Sequence, residues 1–508
     1  MDAGTEEPTT PPDHAREVPL AMDAESFRHA AHALVDSIAD FIESVPERPV
    51  TPNDSPDTIR ALIGGDAALP EEGTDGGELL QRAARLLFDH SLFNAHPRFM
   101  GYVTSSPAPI GMLGDLLASA VNQNVGAWRL SPVASEIEVQ TVRWIAELVG
   151  YPRDCGGLLV SGGNMANIVG LLAARVAALG SEVRATGVGG PDAALPRVYA
   201  SAETHTWIQK AADIAGLGTD AIRWIPVDER LRMDVDALRD AMAEDRQIGV
   251  QPVMVAATAG SVSTGAVDPL AEIAQVCREA GIWLHVDGAY GGFAAALPTA
   301  SEDLRALAEA DSVALDPHKW LYAPLEAGCV LVRDAERLRE AFSYHPVYYH
   351  FGQEATNFVD FGPQNSRGFR ALKVWLALQQ AGRKGYLRMI EDDIRLAREL
   401  HEQVAAHEEL EAFTQDLSIT TFRYVPRELE DKTDDTYLNQ LNQELLERLQ
   451  RSGEAFVSNA VIHGQYVLRA CIVNFNTGAD DIHALPEIVV RHGRAVHAAL
   501  QSSGGQIA

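Results

Sequence analysis

Cysteine is scarce in this chain. The four among 508 residues, Cys155, Cys277, Cys329 and Cys471, are scattered with no CxxC spacing, so neither a disulfide framework nor a zinc site is expected. Basic charge is also in short supply: Lys plus Arg is 41 against 71 for Asp plus Glu, a net charge of −30. That balance repels phosphate backbones and anionic lipid surfaces, which argues against nucleic-acid and peripheral-membrane partners. No uncharged apolar run approaches the ~20 residues of a membrane span. The opening MDAGTEEPTTPPDHAREV lacks the basic-then-apolar order of a secretory signal, so a cytoplasmic protein is expected. The 16 histidines show no HExxH or other ligand spacing, and no metal is expected.

What remains is the composition of an ordinary globular protein, long enough for two or three domains. Residues 1–20, rich in Pro, Thr and Glu, read as a disordered tail. Residues 21–107 read as a helical arm, because Phe27, Ala31, Leu34, Ile38 and Phe41 recur at helical spacing before a stretch rich in Pro, Gly and Asp (46–77). Residues 108–372 alternate short apolar runs with amphipathic helices, the pattern of an α/β domain with a largely parallel sheet. The runs are LLV (158–160), RVYAS (197–201), VMVAAT (253–258), IWLHV (282–286), SVAL (312–315) and CVLV (329–332). One connecting helix is expected to be capped by Asp268, to carry Pro269 in its first turn and to exit at Gly281. Residues 373–508, with a charged helix near 385–407 followed by LSITTFRYV, a further helix and QYVLRACIVNF, read as a smaller α+β domain.

In an open parallel sheet the ligand sits beyond the carboxyl ends of the strands, so the residues after each run are informative. After LLV comes SGGNMAN, a glycine turn opening a helix, which can cradle a phosphate on unpaired N–H groups. After RVYAS comes His205 in AETHTWIQKAA; after VMVAAT come Gly260, Ser261, Ser263 and Thr264. After IWLHV comes Asp287 in HVDGAYGG, and after SVAL comes DPHKW with Lys319. Singly, each has an ordinary explanation: a tight turn, a satisfied loop histidine, a turn-capping aspartate, a lysine paired with Asp316 on the surface. Together they meet the needs of pyridoxal 5'-phosphate: an amine for its aldehyde, a carboxylate for its pyridine nitrogen, a flat ring to stack and glycine amides for its phosphate.

SGGNMAN, THTWIQKAA, HVDGAYGG and DPHKW, in this order and spacing, resemble the group II pyridoxal-phosphate amino-acid decarboxylases, the branch that includes the aromatic-L-amino-acid decarboxylases. The opening helix MDAESFRHAAHALVDSIADFIE and the later SRGFRALKVW resemble the same family. The resemblance implies an aspartate-aminotransferase-like fold type I, a lyase acting on amino acids, and a homodimer with shared active sites. It implies that Lys319 holds the cofactor as a Schiff base, that Asp287 binds the pyridinium nitrogen, that His205 stacks over the ring and that Ala289 packs below it. It places Gly163 and Asn164 at the phosphate and His318 beside Lys319. Asp316 stands where the family often has asparagine.

The same resemblance assigns the proton that replaces the carboxylate to a loop tyrosine in SYHPVYYHFGQEATNFVDFG, aligned at Tyr348 with Tyr349 adjacent. Relatives that release aldehyde commonly carry phenylalanine there, so Tyr348 with His205 implies simple decarboxylation over oxidative deamination. Tyr102 and Trp128 fall at aromatic pocket positions of the aromatic branch, Trp128 reaching across the dimer. Asn94, Val103 and Gly126 replace larger aromatic residues, which widens the pocket. An aromatic L-amino acid is the expected substrate, with an acidic or diamino acid as the alternative if Arg98 or Arg129 clamps a side-chain carboxylate.

Overall fold

The computed structural model describes residues 18–189, 195–344, 355–429 and 435–504. The chain divides into two compact units, Met1–Leu92 and Phe93–Ala508. In the first, the helix Ala24–Ser44 starts where Asp23 accepts from the backbone N–H groups of Glu25 and Ser26. The stretch expected to break this pattern contains a short helix of its own, Pro56–Ile63, begun by the Ser55 cap and Pro56 and stopped by left-handed Gly64. A third helix, Gly76–His90, follows, and Phe88 stacks on Phe41 with ring centroids 4.4 Å apart. The helix Ala24–Ser44 buries no residue, and Phe27 and Leu87 remain exposed.

The second unit is built on seven strands: β1 Gly156–Val160, β2 Pro196–Ser201, β3 Ile222–Ile225, β4 Gln251–Thr258, β5 Trp283–Asp287, β6 Ser312–Leu315 and β7 Gly328–Val332. Their order is β1-β7-β6-β5-β4-β2-β3. β7 runs antiparallel to both neighbours, and the β2, β3, β4, β5 and β6 pairings are parallel. The physical reason lies in the connection from β6 to β7. It carries only the four-residue helix Pro317–Trp320, too little for the crossover a parallel pair needs. β1, β6 and β7 are buried along their whole length, as strands covered on both faces must be. β3 was not evident from sequence because IRWI is a half-exposed end strand without an apolar run.

The connecting helix Leu270–Ala280 leaves through left-handed Gly281 as expected, but Asp268 does not cap it; Pro269 occupies that position. The Asp268 carboxylate instead accepts from the backbone N–H groups of Met233 and Thr258, both at 2.7 Å, and so joins two other segments. A four-stranded antiparallel sheet follows: β8 Leu410–Asp416, β9 Ile419–Tyr424, β10 Ser458–Ile462 and β11 Gln465–Cys471, in the order β10-β11-β9-β8. The helices Ala371–Ala405, broken at Gly382, and Ala479–Gly504 pack on it. Among the described residues no helix is long and apolar enough to cross a membrane.

Candidate active site

With β7 reversed, β1, β2, β4, β5 and β6 end on one edge of the large sheet, and β7 begins there. Beyond β1 the chain turns through Gly162 at φ 141°, a backbone conformation open to glycine, and enters the helix Gly163–Leu179. That helix has no side-chain cap, so its first N–H groups are free for an anion. A Cβ on Gly163 would lie 2.7 Å from Asp316 Oδ2 and 2.8 Å from Ala289 Cβ, and a Cβ on Gly328 would meet the Gly162 backbone. Three segments therefore close on this turn through glycine. Asn164 is exposed on its first helical turn.

Lys319 follows β6 on the helix Pro317–Trp320. Its Nζ lies 3.3 Å from Asp316 Oδ2, so the ordinary pairing with Asp316 does form, but not on the surface: the Asp316 side chain is 3 % exposed. Asp316 Oδ1 is buried with no hydrogen-bond partner among the described residues. His318 Nε2 stands 3.6 Å from the same carboxylate, its Nδ1 accepts from the Ala327 N–H, and burial lowers its pKa. Ser105 Oγ donates to the His318 carbonyl at 2.7 Å, fixing the other side of the segment.

Asp287 closes β5, buried, with one carboxylate oxygen accepting from the Ala289 N–H at 3.1 Å. Its register partner on β4 is Thr258, whose buried hydroxyl has no partner among the described residues. His205 follows β2 with its Nδ1 accepting from the Trp207 N–H at 3.2 Å. Burial lowers the His205 pKa; the Asp287 carboxylate opposes that shift and the Lys319 ammonium adds to it, which puts all three within electrostatic reach. The structure thus brings together Gly163, His205, Asp287, Ala289, His318 and Lys319, with Asn164 at the rim.

For two expected pocket residues the contacts are with other groups. Tyr102 is exposed at φ 54°, and its carbonyl accepts from Arg469 Nη1 at 3.2 Å. Trp128 donates from Nε1 to Glu136 and lines a surface hollow with Val133, Arg143 and Trp144. Tyr348 and Tyr349 lie outside the described residues. Sequence reasoning missed Thr258, although it ends a strand run on the site's edge. It also missed Arg469, whose guanidinium is buried with Nε and Nη2 unpartnered. A hollow of about 680 Å³ lies at the opposite edge, where β4, β5 and β6 begin, but Arg278 and Glu309 pair at 2.7 Å and Arg333 and Asp311 are engaged by backbone groups. It offers no comparable chemistry.

The group at the carboxyl edge fits pyridoxal phosphate on three structural grounds. The glycine cradle would be filled by any Cβ, the helix start is uncapped, and the unpartnered Thr258 hydroxyl lies on the strand beside Asp287. Comparison with known proteins agrees. The pyridoxal-dependent decarboxylase conserved domain matches residues 56–425. The chain is 34% identical over 468 residues to an aromatic-L-amino-acid decarboxylase of Bacillus atrophaeus, covering 91% of this chain and 94% of that one. It is 30% identical over 466 residues to a phenylacetaldehyde synthase of Petunia hybrida, covering 89% and 91%. The crystal structure of Oryza sativa TDC with PLP and tryptamine superposes with a TM-score of 0.87 at 29% identity, covering 94% of this chain and 99% of that one.

Proposed function

The chain belongs to the pyridoxal-dependent decarboxylase family, and on that premise we propose that it removes the α-carboxylate of an aromatic L-amino acid, releasing carbon dioxide and a primary amine. It is a pyridoxal-phosphate-dependent carboxy-lyase of fold type I. Extended similarity to the Bacillus atrophaeus enzyme carries the choice of an aromatic substrate. When bound, the cofactor supplies the sink for the electron pair that a departing carboxylate leaves behind.

The chain's own residues supply the rest. Lys319 holds the cofactor through its amine. Asp287 would keep a proton on the ring nitrogen by its charge, and Thr258, on the next strand, would offer the cofactor a hydroxyl that no described residue engages. His205 would lie against the ring and Ala289 beneath it. The helix start at Gly163 and Asn164 would hold the phosphate, with His318 beside the lysine. Arg469, behind Tyr102, is the buried cation assigned to meet a substrate carboxylate. The Tyr348 hydroxyl, with Tyr349 adjacent, delivers the proton that replaces the carboxylate on Cα; retention of tyrosine there and of His205 supports amine over aldehyde as the product.

We also propose a homodimer with shared active sites. Leu113, Leu116, Leu117, Val121, Leu130 and Val133 are all more than half exposed, an apolar face that a second copy would cover. Trp128 lies next to this face in sequence, which supports its service in the neighbour's pocket.

Product analysis by mass spectrometry, after incubating the cofactor-loaded protein with a mixture of common L-amino acids and 2,4-diaminobutyrate, tests the reaction and its substrate together. The amine of tryptophan, tyrosine or a related aromatic acid is expected. An amine from an acidic or diamino acid overturns the substrate assignment, and aldehyde with ammonia and peroxide overturns the reaction class.

A further inference from the structure

Lys319 sits on a four-residue helix, too short to hold its own geometry. The aromatic side chains that follow it both reach one atom. Trp320 Nε1 donates to Asp393 Oδ2 at 2.8 Å, and Tyr322 Oη donates to the same oxygen at 2.7 Å. The nearby Asn474 backbone N–H opposes the burial that raises this carboxyl's pKa. Asp393 is 3 % exposed and belongs to the helix Ala371–Ala405, which packs on β8 and β9 of the small sheet, remote in sequence from the lysine.

The other face of Trp320 stacks on Tyr290, with centroids 5.0 Å apart and planes 24° apart, three residues beyond Asp287. Tyr290 is itself held, its hydroxyl accepting from the Ser418 N–H at 3.0 Å. Tyr322 adopts φ 53°, a left-handed conformation that bulky residues rarely take and that persists where surrounding contacts impose it. Burial pushes the Asp393 pKa up to about 7, so the carboxyl is held at a desolvation cost. An apolar residue would fill the space without that cost; what it would lose is the common acceptor.

We propose that Asp393 is a positioning residue for Lys319: through Trp320 and Tyr322 it aims the lysine amine, and so sets the orientation and retention of the cofactor. The proposal rests on Lys319 being the residue that holds pyridoxal phosphate. Trp320 and Tyr322 both lie within three residues after the lysine, so withdrawing their shared acceptor frees the chain on its C-terminal side at two points at once.

The test uses cofactor-loaded full-length protein carrying Asp393→Leu, which removes the shared acceptor, Tyr322→Phe, or both. Cofactor release on dilution and the circular dichroism induced in the cofactor's absorption band are measured beside the urea midpoint. Each single variant is expected to release cofactor at least about tenfold faster, the loss of one or more buried hydrogen bonds to the Asp393 carboxyl group, and to change the induced band. The double variant should do little worse than the weaker single, because both changes act on one contact. If Asp393→Leu does not fold, Tyr322→Phe decides, since it removes one hydroxyl from an otherwise unchanged ring. Unaltered release and an unaltered band, with only a lower urea midpoint, would reduce Asp393 to a packing role and overturn the proposal. Borohydride reduction and peptide mapping of the wild type separate the premise: label on Lys319 upholds it, whereas label on another lysine overturns the premise and the proposal together.

Discussion

His285 Nε2 lies 2.7 Å from Asn167 Oδ1, joining the strand that ends in Asp287 to the helix that begins at Gly163. Because that oxygen only accepts, Nε2 carries the hydrogen. Nδ1 then accepts from the Ser312 hydroxyl at 2.7 Å, and Ser312 in turn accepts from Trp283 Nε1 at 2.8 Å. A neutral imidazole thus connects two walls of the site, and burial drives its pKa down from 6.5 to about 4.

This lowered pKa sets a pH dependence. With its folded pKa below its unfolded one, His285 contributes stability that is present above pH 6.5 and lost as pH falls toward about 4. The loss is roughly 3 kcal/mol from the shift alone. Urea unfolding at a series of pH values should therefore show His285→Gln losing less stability on acidification than the wild type. Parallel slopes for the two proteins would show that His285 does not govern this range.

Gly163→Ala should cut cofactor affinity at least tenfold with little change in far-UV circular dichroism. Its new methyl would press on Asp316 Oδ2 at 2.7 Å and Ala289 Cβ at 2.8 Å, spreading the turn proposed to hold the phosphate. Overpacking of this kind costs about 1–3 kcal/mol, and here the displaced groups belong to the site. Fluorescence titration with pyridoxal phosphate measures the effect; wild-type affinity would remove Gly163 from the phosphate cradle.

Tyr348→Phe should keep cofactor binding while amine formation falls sharply, because it deletes the proposed proton donor and leaves its ring. Cofactor absorbance and product yield measured on the same sample distinguish the two effects. Unchanged turnover would exclude Tyr348 and direct the same experiment to Tyr349.

Much of the site's placement was legible because strand, turn and functional residue are contiguous in the chain: LLV leads to Gly163, IWLHV to Asp287, SVAL to Lys319. Local patterning was weaker where a tertiary partner decides. Asp268 has the look of a helix cap beside Pro269, yet the N–H groups of Met233 and Thr258 claim its carboxylate. The reversal of β7 follows from the short connection after Lys319, while CVLV itself is apolar in either direction. Asp393, in the charged run IEDDIRLAR, reads as solvated helix surface, and only contact with Trp320 and Tyr322 across the fold explains its burial.

Arg367 and Glu138 form a second buried link to the cofactor turn. Arg367 Nη1 lies 3.2 Å from Glu138 Oε2 and Nη2 pairs with Oε1, while the guanidinium also donates to the carbonyls of Val125 and Leu159. Glu138 Oε1 accepts from the Leu159 N–H at 2.8 Å, so both members grip β1 two residues before Ser161. Their side chains are 1 % and 0 % exposed. Removing one partner strands the other charge in the interior, which costs about 3–5 kcal/mol, whereas replacing both with apolar residues removes that penalty. Arg367→Met should therefore lower the urea midpoint severely and weaken cofactor binding. Adding Glu138→Leu should recover stability but not the full cofactor affinity, because the Leu159 backbone has lost the groups that positioned it. If the double variant is as unstable as Arg367→Met, the pair's value lies in those backbone bonds and not in charge compensation.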